Sequence, residues 1–255
     1  MESVSHIPLL RQGPDGSQPA TDVLAVEEPL ELRLDGHPIS VLMRTPGHDG
    51  ELAAGFLVTE GIVHAMAQVR KIEPRRDENR VLVFLEDGVR VDLARLTRHL
   101  FTGSSCGLCG KATLDAILTH SPPIFPPVEI TDEALLSAPE KMRAEQSIFD
   151  TTGGLHAAGL FSRTGELLVS REDIGRHNAV DKVIGRAFLD GMDLGETFLL
   201  VSGRASFEIM QKALAARIPL VAAVSAPSSL AVEFAKESGQ GLIGFLRPPG
   251  FNRYA

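Results

Sequence analysis

The sequence predicts an α/β protein: a mixed or mainly parallel sheet flanked by helices, joined to a smaller N-terminal α+β lobe. Three observations carry that reading. From Leu167 onward, short apolar runs alternate with helix-length amphipathic segments, the pattern of β-α-β crossovers. In the first half, Asp35-Gly36 and Asp87-Gly88 sit between apolar runs, the pattern of hairpins. The chain has 255 residues, 44% of them hydrophobic, enough for one core of ordinary size or a core with an added lobe.

Residues 1–22 mix Gly, Pro, Ser, Gln and Asp without periodicity and read as a mobile arm. The N-terminal lobe, residues 23–125, begins with a hairpin: Leu30, Leu32 and Leu34 alternate with charged residues, Asp35-Gly36 turns, and Ile39 to Met43 returns. Asp49 to Val58 reads as a short helix. A second hairpin is expected from Val81–Phe84 and Val89–Val91 through Asp87-Gly88, and the lobe ends in a cysteine loop followed by a helix. Prolines 122, 123, 126 and 127 then punctuate the chain. The core, residues 126–255, opens with a capped helix from Thr131 to Gln146. Strands follow at Leu167–Val169, Phe198–Val201, Leu220–Val224 and Leu242–Phe245, with helices from Ala179, from Phe207 and up to Gly239. In such sheets ligands bind beyond the carboxyl ends of the strands.

Composition narrows the function. Lys and Arg number 25 against 33 Asp and Glu, a formal charge of −8 that opposes general attraction to nucleic acid or anionic membrane. No apolar run approaches the roughly 18 residues of a membrane span, and the N-terminus lacks the basic and apolar regions of a signal peptide. The two cysteines, three apart, cannot staple distant parts of a fold. A reducing, cytoplasmic setting with reactive thiols is expected.

Cys106 and Cys109 lie in Gly103-Ser104-Ser105-Cys106-Gly107-Leu108-Cys109-Gly110-Lys111, ahead of a helical pattern over 112–118. A helix N-terminus and a nearby lysine favour thiolates, and the glycines leave the sulfurs uncrowded. Four readings meet this loop: two buried small hydrophobes, a zinc site, a dithiol redox pair, or a sulfur relay through a persulfide. The first fits poorly in a Gly- and Ser-rich turn. The second lacks a further cysteine pair, with only scattered histidines such as His99 and His120. The lobe that precedes the pair counts against a thioredoxin-type unit, although spacing alone does not separate the last two readings.

Three further clusters point to an anion. Glu172 to Lys182 is dense in ionisable residues around a glycine and a helix start; Asn178 as N-cap with Asp181 accounts for two of them, leaving Arg176, His177 and Lys182 for a ligand. Ser202-Gly203-Arg204-Ala205-Ser206-Phe207-Glu208 sits between a strand and a helix, where backbone N–H groups face phosphate. Phe245-Leu246-Arg247-Pro248-Pro249-Gly250 follows the last expected strand, with Arg247 able to pair bidentately. His156, after Gly153-Gly154, is a candidate proton donor or acceptor. Neither G-x-x-x-x-G-K-[ST] nor G-x-G-x-x-G occurs.

The segments GSSCGLCGKATLDAI, FDTTGGLHAAGLF, REDIGRHNAVDKVIG and VSGRASFEIMQKA, with ELAAGFLVTEGI upstream, resemble the FdhD family of formate dehydrogenase accessory sulfurtransferases. The resemblance runs from about Pro29 to Phe251. It implies that a cysteine desulfurase loads Cys106 with a persulfide, that Cys109 assists or resolves it, and that the sulfur passes to the molybdenum bis(molybdopterin guanine dinucleotide) cofactor of a formate dehydrogenase. It places a cofactor-binding stretch at Phe245, Leu246, Arg247, Pro248, Pro249 and Gly250, where the paired prolines depart from the family's pattern. It further implies a homodimer, no structural metal, and a fold similar to cytidine deaminases. This chain has no H-x-E, and Ser105 rather than proline precedes Cys106, so deaminase zinc chemistry is not expected. On that reading Arg176, His177, Arg204 and Arg247 would hold the cofactor's phosphates. The alternatives are a cofactor chaperone that transfers no sulfur and a zinc-stabilised binding module.

Overall fold

The computed structural model describes residues 2–14, 16–89, 91, 121–124 and 128–255; Cys106, Cys109 and the helix expected after them lie outside the described residues. Residues 4–25, expected as an arm without regular structure, pair as an antiparallel hairpin of β1 (Val4–Gly13) and β2 (Gly16–Ala25). Nearly all its residues face solvent, so no alternating burial marked the strands in the sequence.

The first expected hairpin is β3 (Glu28–Leu34) with β4 (His37–Arg44). Asp35 at φ 46° and Gly36 at φ 84° give its turn the two positive φ angles of a type I′ connection. The second expected hairpin forms differently. β6 (Arg80–Leu85) pairs antiparallel with β5 (Val69–Arg75) on one side and parallel with β3 on the other. A tight turn at Arg76–Glu78, closed by Asn79 in the left-handed region at φ 48°, replaces Asp87-Gly88 as the hairpin connection. The sheet order is β4-β3-β6-β5, with Leu30, Leu32, Leu34, Val81 and Val83 facing inward.

The second half builds a six-stranded mixed sheet of order β12-β11-β10-β9-β7-β8. Its strands are β7 (His156–Ser162), β8 (Leu167–Asp173), β9 (Thr197–Val201), β10 (Leu220–Ala223), β11 (Gly241–Arg247) and β12 (Gly250–Arg253). In this sheet β9, β10 and β11 run parallel to one another as expected, while β7 pairs antiparallel with both β8 and β9, and β12 antiparallel with β11. β7 was not among the expected strands, since His156-Ala157-Ala158-Gly159 carries little strand propensity. Burial on both faces, with Ala157 and Ala158 at 2% and 0% exposure, overrides that preference.

Around the strands lie α1 (Asp49–Thr59), α2 (Asp132–Ala144), α3 (Ser147–Thr152), α4 (Arg176–Leu189), α5 (Phe207–Ala215) and α6 (Ser229–Ser238). Thr131 caps α2 through its hydroxyl, which accepts the Ala134 N–H at 3.3 Å. Side chains alternate across the large sheet: Leu199, Val201, Val221 and Ala223 join a core that reaches Leu30 and Val83 of the small sheet, while Phe198, Leu200, Leu220 and Ala222 pack with Leu135 and Met142 of α2. The two halves of the chain therefore share one buried cluster. At its centre α1 and α4 touch backbone to backbone. A Cβ built on Gly55 would fall 1.8 Å from the Asp181 carbonyl oxygen, and one on Gly185 1.8 Å from that of Glu51. This contact fixes the start of α4 relative to the Arg44–Asp49 turn.

Candidate functional site

Five loops meet along the carboxyl-end edge of the large sheet. They follow β8 (Ile174-Gly175), β9 (Ser202–Ser206), β10 (Ser225–Ser228) and β11 (Pro248-Pro249), and precede β7 (Gly153–Leu155). Backbone hydrogen bonds tie them together: Ser202 N–H to Ala157 O, Ser228 N–H to Ala205 O, and Phe245 N–H to Ser225 O, at 2.9–3.0 Å. Arg176 at the start of α4, Arg204 in the loop after β9 and Arg247 at the end of β11 therefore share one edge of the sheet.

The Glu172–Lys182 cluster divides into two sets. Asp173, fully buried, accepts hydrogen bonds from the Thr45 N–H (3.2 Å), the Gly175 N–H (2.8 Å) and Asn178 Nδ2 (3.0 Å), and pairs with Lys182 Nζ at 2.6 Å. Lys182, 1% exposed, also donates to Thr45 O at 2.9 Å. Lys182 was expected to be available to an anion, and is not; burial commits it to Asp173, since a buried ammonium without a partner is costly. Asn178 is not the N-cap either. The helix starts earlier, at Arg176 after Gly175, and Asn178 joins Met43 O to Asp173. Glu172 accepts the N–H groups of Ile148 and Phe149, completing the first turn of α3. Asp181 turns the other way, into a buried pair with Lys212. Only Arg176 and His177, both half-buried, face the strand-end edge.

His177 Nε2 lies 3.1 Å from Glu208 Oε2, on the first turn of α5, and 3.5 Å from Arg176 Nε. One Nε2 atom cannot both donate to the carboxylate and accept from the guanidinium, so the closer Glu208 takes it, and among the described residues Arg176 has no carboxylate partner. Burial holds the His177 imidazole below its ordinary value; Glu208 pulls upward, and Lys212 and Arg176 add to the lowering. His156, across the loop, lies against Gly203, where a Cβ would come 3.4 Å from its Nδ1. Its imidazole is likewise held low, by burial and then by Arg176, against Asp173. The role of Glu208 was missed in the sequence. A carboxylate in the first turn of a helix is favoured by the dipole, so Glu208 gave no signal of its own.

The remaining residues on the strand-end edge fall as follows. Arg204 and Arg247 are exposed. Phe245, 37% exposed, sits at φ 54°, where a register shift interrupts the pairing of β11 with β12. Leu246 is fully buried in the second core, so it offers the edge only its backbone. Pro248-Pro249, joined by a cis bond, and Gly250 form the exposed turn into β12. Among the described residues no three His, Cys, Asp or Glu side chains converge as a metal-binding group, and no helix is long and apolar enough to cross a membrane.

Fold and edge together define an α/β protein with three arginines along the strand-end edge of its large sheet. The chain belongs to the FdhD/NarQ family, whose sequence profile matches residues 25–255. It is 51% identical to the sulfur carrier protein FdhD of Streptomyces coelicolor, over 96% of this chain and 91% of that one. Against the protein of the same name from Mycobacterium tuberculosis the identity is 50%, over 91% and 90%. The Sulfolobus acidocaldarius protein of that name is 43% identical, over 91% and 89%. In fold, the chain matches the crystal structure of a protein from Desulfotalea psychrophila assigned as a formate dehydrogenase accessory protein, with a TM-score of 0.81, 24% identity and coverage of 99% and 97%.

Proposed function

We propose that this protein is a sulfur carrier for formate dehydrogenase maturation. Cys106 accepts sulfur from a cysteine desulfurase and passes it to the molybdenum bis(molybdopterin guanine dinucleotide) cofactor, which binds as substrate along the strand-end edge. In the loading step the Cys106 thiolate attacks the outer sulfur of the donor's persulfide; a new S–S bond forms, and the donor's cysteine leaves as thiolate. Cys109 assists or resolves the intermediate.

The observation that carries this reading is the placement of Arg176, Arg204 and Arg247 on one sheet edge, at a helix start, in the small-residue loop after β9 and at the end of β11, where they suit the phosphates of a dinucleotide. The names of the relatives agree with it. Chain length permits the cysteine to reach that edge. Ser121–Ile124 is held at the opposite, amino-end edge, where Arg217 donates to the Pro122 and Pro123 carbonyls and Ile124 N–H to Ser238 O. The 15 residues from Cys106 to Ser121 span at most about 50 Å when extended, against roughly 23 Å for the seven residues of β11.

The test is maturation of a formate dehydrogenase in cells carrying Cys106→Ala. A sulfur carrier so altered leaves the dehydrogenase inactive although its cofactor is still bound. A chaperone that transfers no sulfur keeps most of the activity, and that result would replace the proposal.

A further inference from the structure

We infer that the strand-end edge takes up protons together with its phosphate-bearing ligand, on His156 and His177, the two imidazoles that neighbour Arg176. The inference rests on that edge being the anion site proposed above. The two histidines come from different elements, β7 and the first turn of α4: His177 Nε2 lies 3.5 Å from Arg176 Nε, and His156 Nδ1 lies against Gly203 in the loop that carries Arg204. The charged groups that face them are Arg176 on α4, Asp173 on β8, and Glu208 and Lys212 on α5.

Burial holds both rings low, and the Arg176 guanidinium beside them adds to the lowering. Both imidazoles are therefore neutral near pH 7. A phosphate on Arg176 reverses the local sign. It neutralises the guanidinium and offers acceptor oxygens that bond an imidazolium more strongly than a neutral ring. Each histidine then binds a proton more tightly with ligand than without, and linkage requires the converse: ligand binds more tightly where protons are available. Glu208 makes His177 the better placed of the two, since its carboxylate already takes one ring N–H and leaves the other nitrogen to be protonated. Affinity therefore rises as pH falls from about 8 toward 6, by at most about tenfold per pH unit for each proton taken up.

The experiment is titration calorimetry of the full chain with guanosine diphosphate, at pH 6, 7 and 8, in two buffers of different ionisation enthalpy. The expected result is net proton uptake near pH 7 and an affinity that increases as pH falls. Uptake is smaller in His156→Gln and in His177→Gln, and their pH slopes are flatter. The ligand's own phosphate titrates near pH 6, equally for every variant, so the difference between variants isolates the protein's share. NMR titration of the histidine ring protons with and without the nucleotide reads the same shift directly, should a variant fail to fold. Binding of equal strength from pH 6 to 8, with histidine titrations unmoved by ligand, overturns the proton coupling and leaves the anion site standing. No binding at any pH overturns both.

Discussion

Lys212→Met tests the buried network beneath the strand-end edge. Lys212 Nζ donates to Asp181 Oδ2 at 2.9 Å and to Thr59 Oγ1 at 2.9 Å, and Thr59 in turn donates to Asp181 at 2.8 Å. Asp181 is 2% exposed and Lys212 9%. Three helices, α1, α4 and α5, are pinned at this point. Removing the ammonium leaves a buried carboxylate with one hydroxyl donor, a loss on the order of 3–5 kcal/mol. Against a total stability of roughly 5–15 kcal/mol, that is a large fraction, visible as a fall of one to several molar in the urea midpoint at a slope of about 1–3 kcal/mol/M. The variant should also acquire a pH dependence. Burial already raises the Asp181 carboxyl above its ordinary 3.8, and without Lys212 it rises further. A carboxyl raised in the folded state binds more protons there than in the unfolded chain, so Lys212→Met regains stability as pH falls toward that raised value and loses it as pH climbs. Replacing both partners, Lys212→Met with Asp181→Leu, should recover most of the loss, because no charge is then stranded. A single variant that loses less than about 1 kcal/mol, or a double variant no better than the single, would refute the reasoning.

Two further outcomes are expected. Burial alone would raise the Glu51 carboxyl, but Arg171, bonded through Nε at 2.6 Å and Nη2 at 2.9 Å, and His48 bring it down to about 2. A depressed carboxyl stabilises the fold above its unfolded value and ceases to as pH falls through about 2; urea melts should therefore show Glu51→Gln less stable by on the order of 2 kcal/mol at pH 7, the gap closing between pH 4.5 and 2. At the strand-end edge, alanine at Arg176, Arg204 or Arg247 should each weaken guanosine diphosphate binding by about 10- to 100-fold in calorimetry, one charge-assisted contact being worth about 1.5–3 kcal/mol.

Much of the fold was legible where local chemistry was unambiguous. Asp35-Gly36 marked its hairpin, Thr131 its helix start, and the Leu220–Ala223 run its buried strand, because turn chemistry, capping and burial act within a few residues. What failed depended on distant partners. The β5–β6 hairpin turns on a single left-handed Asn79, a weaker mark than the Asp-Gly that drew the expectation elsewhere. β7 is a strand only because both its faces are covered, and β1–β2 carries no burial pattern at all. The site divides in the same way. Arg176, Arg204 and Arg247 were legible as cations, and His177 as a titratable neighbour, near strand ends; that Arg176 and His177 open a helix and Arg247 closes a strand was not. That Lys182 is consumed by Asp173 and that Glu208 holds His177 are tertiary facts, because each pairing joins elements the chain brings together only on folding.

The central claim is sulfur carriage by Cys106, and intact-protein mass spectrometry tests it most directly. The chain and its Cys106→Ala variant are each incubated with a cysteine desulfurase and cysteine, then weighed before and after reduction. The account predicts a reducible gain of about 32 Da, one sulfur atom, on the protein that retains Cys106 and on that protein alone. No adduct, with a donor shown to be active, would contradict it and favour a cofactor chaperone.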